Sequence, residues 1–436
     1  MKQKLVSWAI SALFVATASG QTNNYFGTSG AINGSVWSTE PSGPYINELV
    51  TTGGAIINFG NAATFTGASI TVAGINVTEN ANLTATGGTI GLTGFVDVNV
   101  SSGKTLNLGL QQFTTTAGRG LNKVGNGTLA IGATTDDLAG GFTMTAGTVV
   151  VLGVNGLGNG ELSLDGGIIA SDGNLDFGTR HDDGISMGGD IQLGSTMGLA
   201  NSSAGMTFGN DVNLGASTRT LTLGNNGAFS LGGVISGGSG AGVTVAALGG
   251  FTGNVIMNGA NTYSGPTTIK SGTLALGSAG TIDSSTSIVV GDAGSSGAIL
   301  NTTAKSGFTV LGTQTLSGEG TVNVGTNKVL SVLGAHSVGN TGTNGGVGTQ
   351  TVTGNLSYAN NSIFNWDLNE NSTSTGFDKV ATSGTVSVST TGTIFNVILG
   401  TAALAGIQQT GNEFWNTPFQ SRSWSMQSIF GQILQA

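Results

Sequence analysis

A short cassette, Thr-Leu-x-Leu/Ile-Gly, recurs at residues 105–109, 128–132, 220–224 and 273–277. In an extended chain successive side chains face opposite sides, so Leu106 and Leu108, or Leu274 and Leu276, share one face and the glycine ends the run. The first two copies start 23 residues apart and the third starts 92 after the second, four times 23, whereas the last interval, 53, breaks the count. A period in that range fits one coil of a solenoid. Between the cassettes lie further alternating runs, among them Ile70-Thr71-Val72, Val96-Asp97-Val98-Asn99-Val100, Leu162-Ser163-Leu164, Val322-Asn323-Val324 and Val386-Ser387-Val388. Gly, Asn, Asp and Ser separate them, residues that let a chain corner every few positions. A flat sandwich has no need of so many short, similar units, whereas stacked coils bury each unit's apolar face on its neighbours.

Composition separates this pattern from disorder. Glycine supplies 78 of 436 residues and charged residues only 8%. Disordered chains are rich in charge or proline and poor in β-branched residues, but here there are four prolines and many Val, Ile and Thr in alternation. The expected fold is therefore all-β, an elongated parallel β-helix (β-solenoid). It spans residues 53–400, follows an N-terminal cap region at 21–52, and ends in a C-terminal aromatic and helical cap at 401–436. In that last segment Met426, Ile429, Phe430, Ile433 and Leu434 fall on one face of a short amphipathic helix that covers the open end.

Residues 1–20 read as a secretory leader: Lys2 and Lys4 precede an apolar stretch from Val6 to Ala18 that closes on small residues. No integral membrane segment is expected once it is removed. Residues 394–407 are apolar but too short to span, and fit a buried strand pair better. Twelve basic against 21 acidic residues give a net charge of −9, with the cations scattered singly, which argues against nucleic acid as a partner. With no cysteine, neither disulfides nor thiolate metal sites contribute.

Residues 253–277 contain Asn261-Thr262-Tyr263-Ser264-Gly265-Pro266-Thr267-Thr268-Ile269-Lys270-Ser271-Gly272-Thr273-Leu274-Ala275-Leu276. This resembles the bacterial autotransporter-associated β-strand repeat. Residues 127–149 resemble it too, from Gly127-Thr128-Leu129 to Gly147-Thr148-Val149, with Asp137-Leu138-Ala139-Gly140 where the other copy has Thr262-Tyr263-Ser264-Gly265. Residues 231–237 resemble the lead-in to such a repeat. The two repeats are assigned to the regions 121–153 and 248–277. The resemblance implies a secreted or surface-displayed passenger-like β-helix and implies no catalytic residue. The outer-membrane barrel or sorting tail of such passengers has no evident counterpart, which leaves a shortened passenger without its anchor as one alternative.

Candidate chemistry is sparse. Gly103-Lys104-Thr105 resembles the end of a phosphate loop, but Val98 stands where its first glycine is required, so Lys104 is assigned to a solvent-facing turn. Arg180-His181-Asp182-Asp183-Gly184, with Asp176, is the densest polar cluster; it motivates the alternative of a polysaccharide lyase or hydrolase, against which Gly184 marks an exposed turn. His336 is expected in a turn beside a long loop at 337–351. Asp136, Asp137 and Asp292 lack the nonapeptide of calcium coils. Trp366, Phe414, Trp415, Phe419, Trp424 and Phe430 are assigned to a C-terminal core rather than to sugar binding. Asn and Thr at strand edges are expected to stack into ladders along the coils. No catalytic, cofactor or metal residue is nominated and no cofactor is expected. The sequence thus points to a non-enzymatic exported protein with a structural or adhesive role, whose partners would be a surface polysaccharide or the surface of a host or neighbouring cell.

Overall fold

Strand alternation decides which residues go inward, and the cassettes obey it. Leu106, Leu108, Leu129, Ile131, Leu221, Leu223, Leu274 and Leu276 are all 0–2% exposed. Each such side chain contributes roughly 1.5–3 kcal/mol by leaving water. The computed structural model describes residues 22–399 apart from 28, 32–34, 45–54, 61, 67–68, 84–88, 114–117, 134–137, 293–296, 340–345 and 370–375. The expected leader, the C-terminal cap, Asp136 and Asp137 lie outside the described residues, as does the segment from 400 to 407. The first part of the expected strand pair there, Ile394–Leu399, is a strand.

The described residues form strands joined by turns, with no helix among them and therefore none long and apolar enough to cross a membrane. The architecture is the parallel β-solenoid expected. A first face runs from Thr22–Phe26 to Ile235–Ser236. A second face stacks sixteen strands in series, from Ser29–Ala31 to Ile394–Leu399. A third begins only at Leu175–Asp176 and continues to Lys379–Thr382. The coil thus changes from two-sided to three-sided near residue 175. After Ser236 the first face narrows to an isolated bridge, Ala260 to Thr281, and resumes as the sheet from Phe308–Val310 to Val386–Val388.

This change of cross-section explains the cassette spacing. Thr105 pairs with Thr128, so the 23-residue interval is one coil. From Thr128 the register passes through Thr148, Ile168 and Gln192 to Thr222. Four coils therefore separate the second and third cassettes, with Thr220 two residues off the exact register. Thr273 lies on the third face, between Asn254 and Ile299, which is why its interval does not fit. Coil length also varies, with 18 residues between Ala63 and Ala81 and 35 between Ser29 and Thr64, because the corners absorb insertions while the strands keep their register.

The expected ladders are present. Asn76 donates from Nδ2 to Asn58 Oδ1 at 3.0 Å, and Asn58 donates in turn to Asn23 Oδ1 at 3.4 Å. Near the other end Asn396 donates to Asn365 Oδ1 at 2.9 Å, and Asn365 to Ser337 Oγ at 2.8 Å. At the N-terminal end Trp37–Ser38 runs antiparallel along the free edge of Thr22–Phe26, and the Trp37 ring meets that of Phe26 edge-on at 4.9 Å. This covers the edge at Tyr25 and Phe26 against further pairing.

The expected long loop at 337–351 is shorter than the sequence suggested. Ala335–Val338 and Thr349–Thr353 are strands of the second and third faces. Val338 is buried, anchoring a segment that glycine and threonine had made look unstructured.

Candidate functional site

Three consecutive coils turn from the second face to the third through connections of unequal length. The strand Val243–Ala247 leads to Asn254–Met257 through residues 248–253, and Ser287–Val290 leads to Ala298–Asn301 through 291–297. Between them Thr267–Ile269 reaches Gly272–Leu276 through Lys270 and Ser271 alone. Leu248, Phe251, Lys270, Asp292 and Ile299 are among the residues that line a cleft of about 820 Å³ at this corner. One wall is pinned: Phe251 N–H donates to Leu248 O at 3.1 Å, and Thr252 N–H to Asn226 Oδ1 at 2.8 Å. The floor is tied to that wall because Ser271 Oγ accepts from Ala247 N–H at 2.8 Å. Asp292, which lacks the sequence context of a calcium coil, is part of this lining.

The polar cluster at 180–184 does not converge. Asp182 and Asp183 face solvent, while His181 adopts a φ of 69° and is wholly buried, correcting the expectation of a simple exposed turn. Its ring lies 5.9 Å from Phe177 and 6.4 Å from Phe208, and its Nδ1 bonds Gly160 O at 3.1 Å. Burial lowers its pKa. Asp182 accepts from Asn159 Nδ2, and Asp176 Oδ1 accepts from Gly178 N–H, closing a local turn. Lys104 sits in its expected turn, in an ion pair with Glu79 at 2.7 Å.

His336 is also misplaced by the sequence. It lies within a strand, fully buried, with Nδ1 2.7 Å from the Tyr358 hydroxyl and Nε2 2.7 Å from Gln350 Oε1. Since that amide oxygen only accepts, Nε2 carries the proton and Nδ1 accepts from Tyr358. Burial pulls the imidazole pKa down to about 4. Trp366 belongs to the neighbouring core, as expected, donating from Nε1 to Asp378 O at 2.8 Å.

The segment 253–277 forms one closed coil, for its first strand pairs with its last, Val255 opposite Leu274. Between them the buried Asn261 donates from Nδ2 to Thr281 O and accepts Ile235 N–H, joining the coils above and below. The Tyr263 hydroxyl lies 2.7 Å from Thr267 Oγ1, Thr267 donates to Ser285 Oγ at 3.0 Å, and Ser285 donates to Gly265 O at 2.8 Å. The buried polar residues that give this segment its recognisable pattern are therefore fastenings of the coil.

The family described as passenger-associated-transport-repeat has a model that matches residues 252–276. The chain carries a passenger-associated-transport-repeat. No curated protein and no solved structure matches it. The repeat and the solenoid together fit an autotransporter passenger-like protein.

Residues 127–149 close a coil in the same way as the passenger-associated-transport-repeat, with Leu129 opposite Val149, but on the second face instead of the third. Leu138 fills the interior there, fully buried, as Tyr263 does in the repeat. Both corners hold a glycine against the backbone of the preceding coil: a Cβ on Gly265 would stand 2.3 Å from Gly240 O, and one on Gly140 2.4 Å from Arg119 O. Gly265→Ala is expected to cost about 2–3 kcal/mol in urea unfolding, since backbone cannot yield as a side chain does. An unchanged midpoint would show that the corner has slack.

Two buried ionisable groups have no counterpart among the sequence motifs. Lys123 is wholly buried and donates from Nζ to Val124 O, Gly125 O and Ala146 O at 2.8, 2.7 and 3.2 Å. Its burial lowers its pKa to about 8. The signal for it is strand parity, because Lys123 shares a face with inward Leu121. Asp378 is buried as well, accepting Gly348 N–H at Oδ1 and Asp367 N–H at Oδ2, each at 2.9 Å. Burial raises its carboxyl to about 7, with the nearby Asp367 and Glu319 adding to the rise and the two amides opposing it.

Proposed function

We propose that the chain is the rod of an exported protein, displayed at or released from the cell surface, with a structural or adhesive role and no catalytic activity. The observation that carries this reading is the passenger-associated-transport-repeat set as one coil within a continuous solenoid. Repeats of that description belong to passengers, which are export cargo. The reading is also supported by the use made of the polar residues inside the rod: His336, Tyr263, Thr267 and Lys123 are all engaged in hydrogen bonds that fasten the stack. A stack fastened internally leaves its outer corners to vary, as suits a scaffold that presents loops.

Fractionation of cells producing the chain, with protease treatment of intact cells, tests the reading. The expected result is chain in the medium, or surface-bound chain lost on treatment while a cytoplasmic marker survives. Recovery wholly within the protease-protected interior would overturn it.

A further inference from the structure

We propose that the outward side of the first face, across the strands from Thr89–Val100 to Ile185–Met187, is a platform for a neutral β-linked glucan, with Phe95 stacking on a sugar ring. The inference rests on the adhesive reading and gives it a ligand class. Phe95 is the first observation. Among the described side chains it is the most exposed aromatic, at 55%, while Val96 beside it is wholly buried, so strand alternation turns the Phe95 ring outward. Gly120 lies opposite it on the next coil. A Cβ at Gly120 would stand 2.7 Å from Phe95 Cε1 and 3.1 Å from Cζ, so the ring leans over that glycine instead of standing clear of the sheet. Gly141 and Glu161 follow, each one position before the paired Phe142 and Leu162. The row that starts at Phe95 therefore crosses two residues without side chains before it reaches the exposed Glu161.

Two positions further along the same strands runs a polar row, Asp97, Asn122, Thr143, Ser163 and Ser186, each opposite the next. Asn122 donates from Nδ2 to Asp97 Oδ1 at 2.9 Å, and Ser186 Oγ donates to Glu161 Oε1 at 3.0 Å. Each bond steadies a carboxylate and leaves its second oxygen to accept from a ligand. Thr143, half-buried, has no partner for its hydroxyl among the described residues. An aromatic face beside such a row complements a sugar whose hydroxyls are all equatorial, with C–H groups on its faces and hydroxyls around its edge. The bare glycines leave room for the chain to continue along the axis. Coils repeat about every 4.8 Å, close to the length of one residue in such a chain, so successive sugars meet successive coils. Charge narrows the choice further. Asp97, Glu161 and Asp165 are exposed carboxylates, set against the half-buried Arg119 beside Gly120. That balance repels an acidic glycan.

Calorimetric titration of the purified chain with cellotetraose, tetragalacturonate and tetralysine tests the proposal. The expected result is binding of cellotetraose alone, unchanged at high salt. Phe95→Ala is expected to reduce affinity at least about tenfold, and Phe95→Tyr to retain it. Thr143→Val should reduce it at least about threefold. Because Thr143→Val keeps the shape of the side chain, its urea midpoint should stay at the wild-type value, separating loss of a contact from loss of the fold. Equal binding of either charged probe, or undiminished affinity in Phe95→Ala, would overturn the assignment. A wild-type chain that ignores cellotetraose yet is retained on cell surfaces would overturn this platform and leave the adhesive reading standing. Absence of both would remove both.

Discussion

Replacing Tyr263 with alanine is expected to destabilise the chain by about 3–5 kcal/mol, a larger effect than that of Gly265→Ala at the same corner. The ring is 1% exposed, and its removal leaves a cavity between coils whose spacing is fixed by their backbone ladders. Tyr263→Phe should cost only about 1 kcal/mol, because Thr267 still donates to Ser285 when the phenol is gone. Tyr263→Leu should fall between them, since Leu138 fills the corresponding place in the coil of residues 127–149. Urea unfolding of the three variants measures the order directly. If alanine and phenylalanine were equally costly, the hydroxyl chain would matter more than the packing, and a packed aromatic would not be what holds this corner.

The second large effect is a dependence on pH. Asp378 titrates near 7 in the fold against about 3.9 in an unfolded chain. The folded state thus holds the proton more tightly, and the stability this gives is fully present below about pH 4 and lost as pH rises through 7. His336 works in the opposite direction: its folded pKa of about 4 lies below the unfolded 6.5, so its contribution is present above 6.5 and lost as pH falls. The two partly cancel in the wild-type curve. The difference between wild type and Asp378→Asn isolates the carboxyl, and between pH 8 and pH 5 it should move by on the order of 2–3 kcal/mol in favour of wild type. Urea midpoints at the two pH values provide the measurement. A constant difference would mean that Asp378 titrates as an ordinary surface carboxylate.

What could be read from the sequence was set by local rules. Alternation named the inward leucines, because strand parity is a property of the chain alone, and turn residues located the corners. The repeat at 253–277 was legible because the residues that form its pattern, Asn261 to Thr267, are contiguous in sequence, although Asn261 and Thr267 bond to residues 18 to 26 positions away. His336 was not legible, since its partners Gln350 and Tyr358 lie 14 and 22 residues away. They meet it only because the corners between them have particular lengths. Unknown corner lengths likewise concealed that Thr273 belongs to another face. His181 was misjudged for a different reason. Its neighbours mark a turn, but a left-handed backbone angle at the histidine swings the ring inward while both aspartates stay out. The cleft was invisible for a third reason: its lining residues Leu248, Lys270 and Ile299 come from successive coils that only the register brings side by side.

The second face runs through the described solenoid from one end to the other, and each of its strands pairs within that face with the strands directly before and after it. A load applied along the axis therefore meets the coils in series. The ladder bonds of a stack lie nearly parallel to that axis, so an end coil opens alone while the next still holds. Opening an end coil frees 35 residues between Ser29 and Thr64 or 31 between Ile363 and Ile394, a contour of roughly 100–120 Å. A tether built this way lengthens in steps and dissipates a pull gradually, which suits a molecule held between two surfaces.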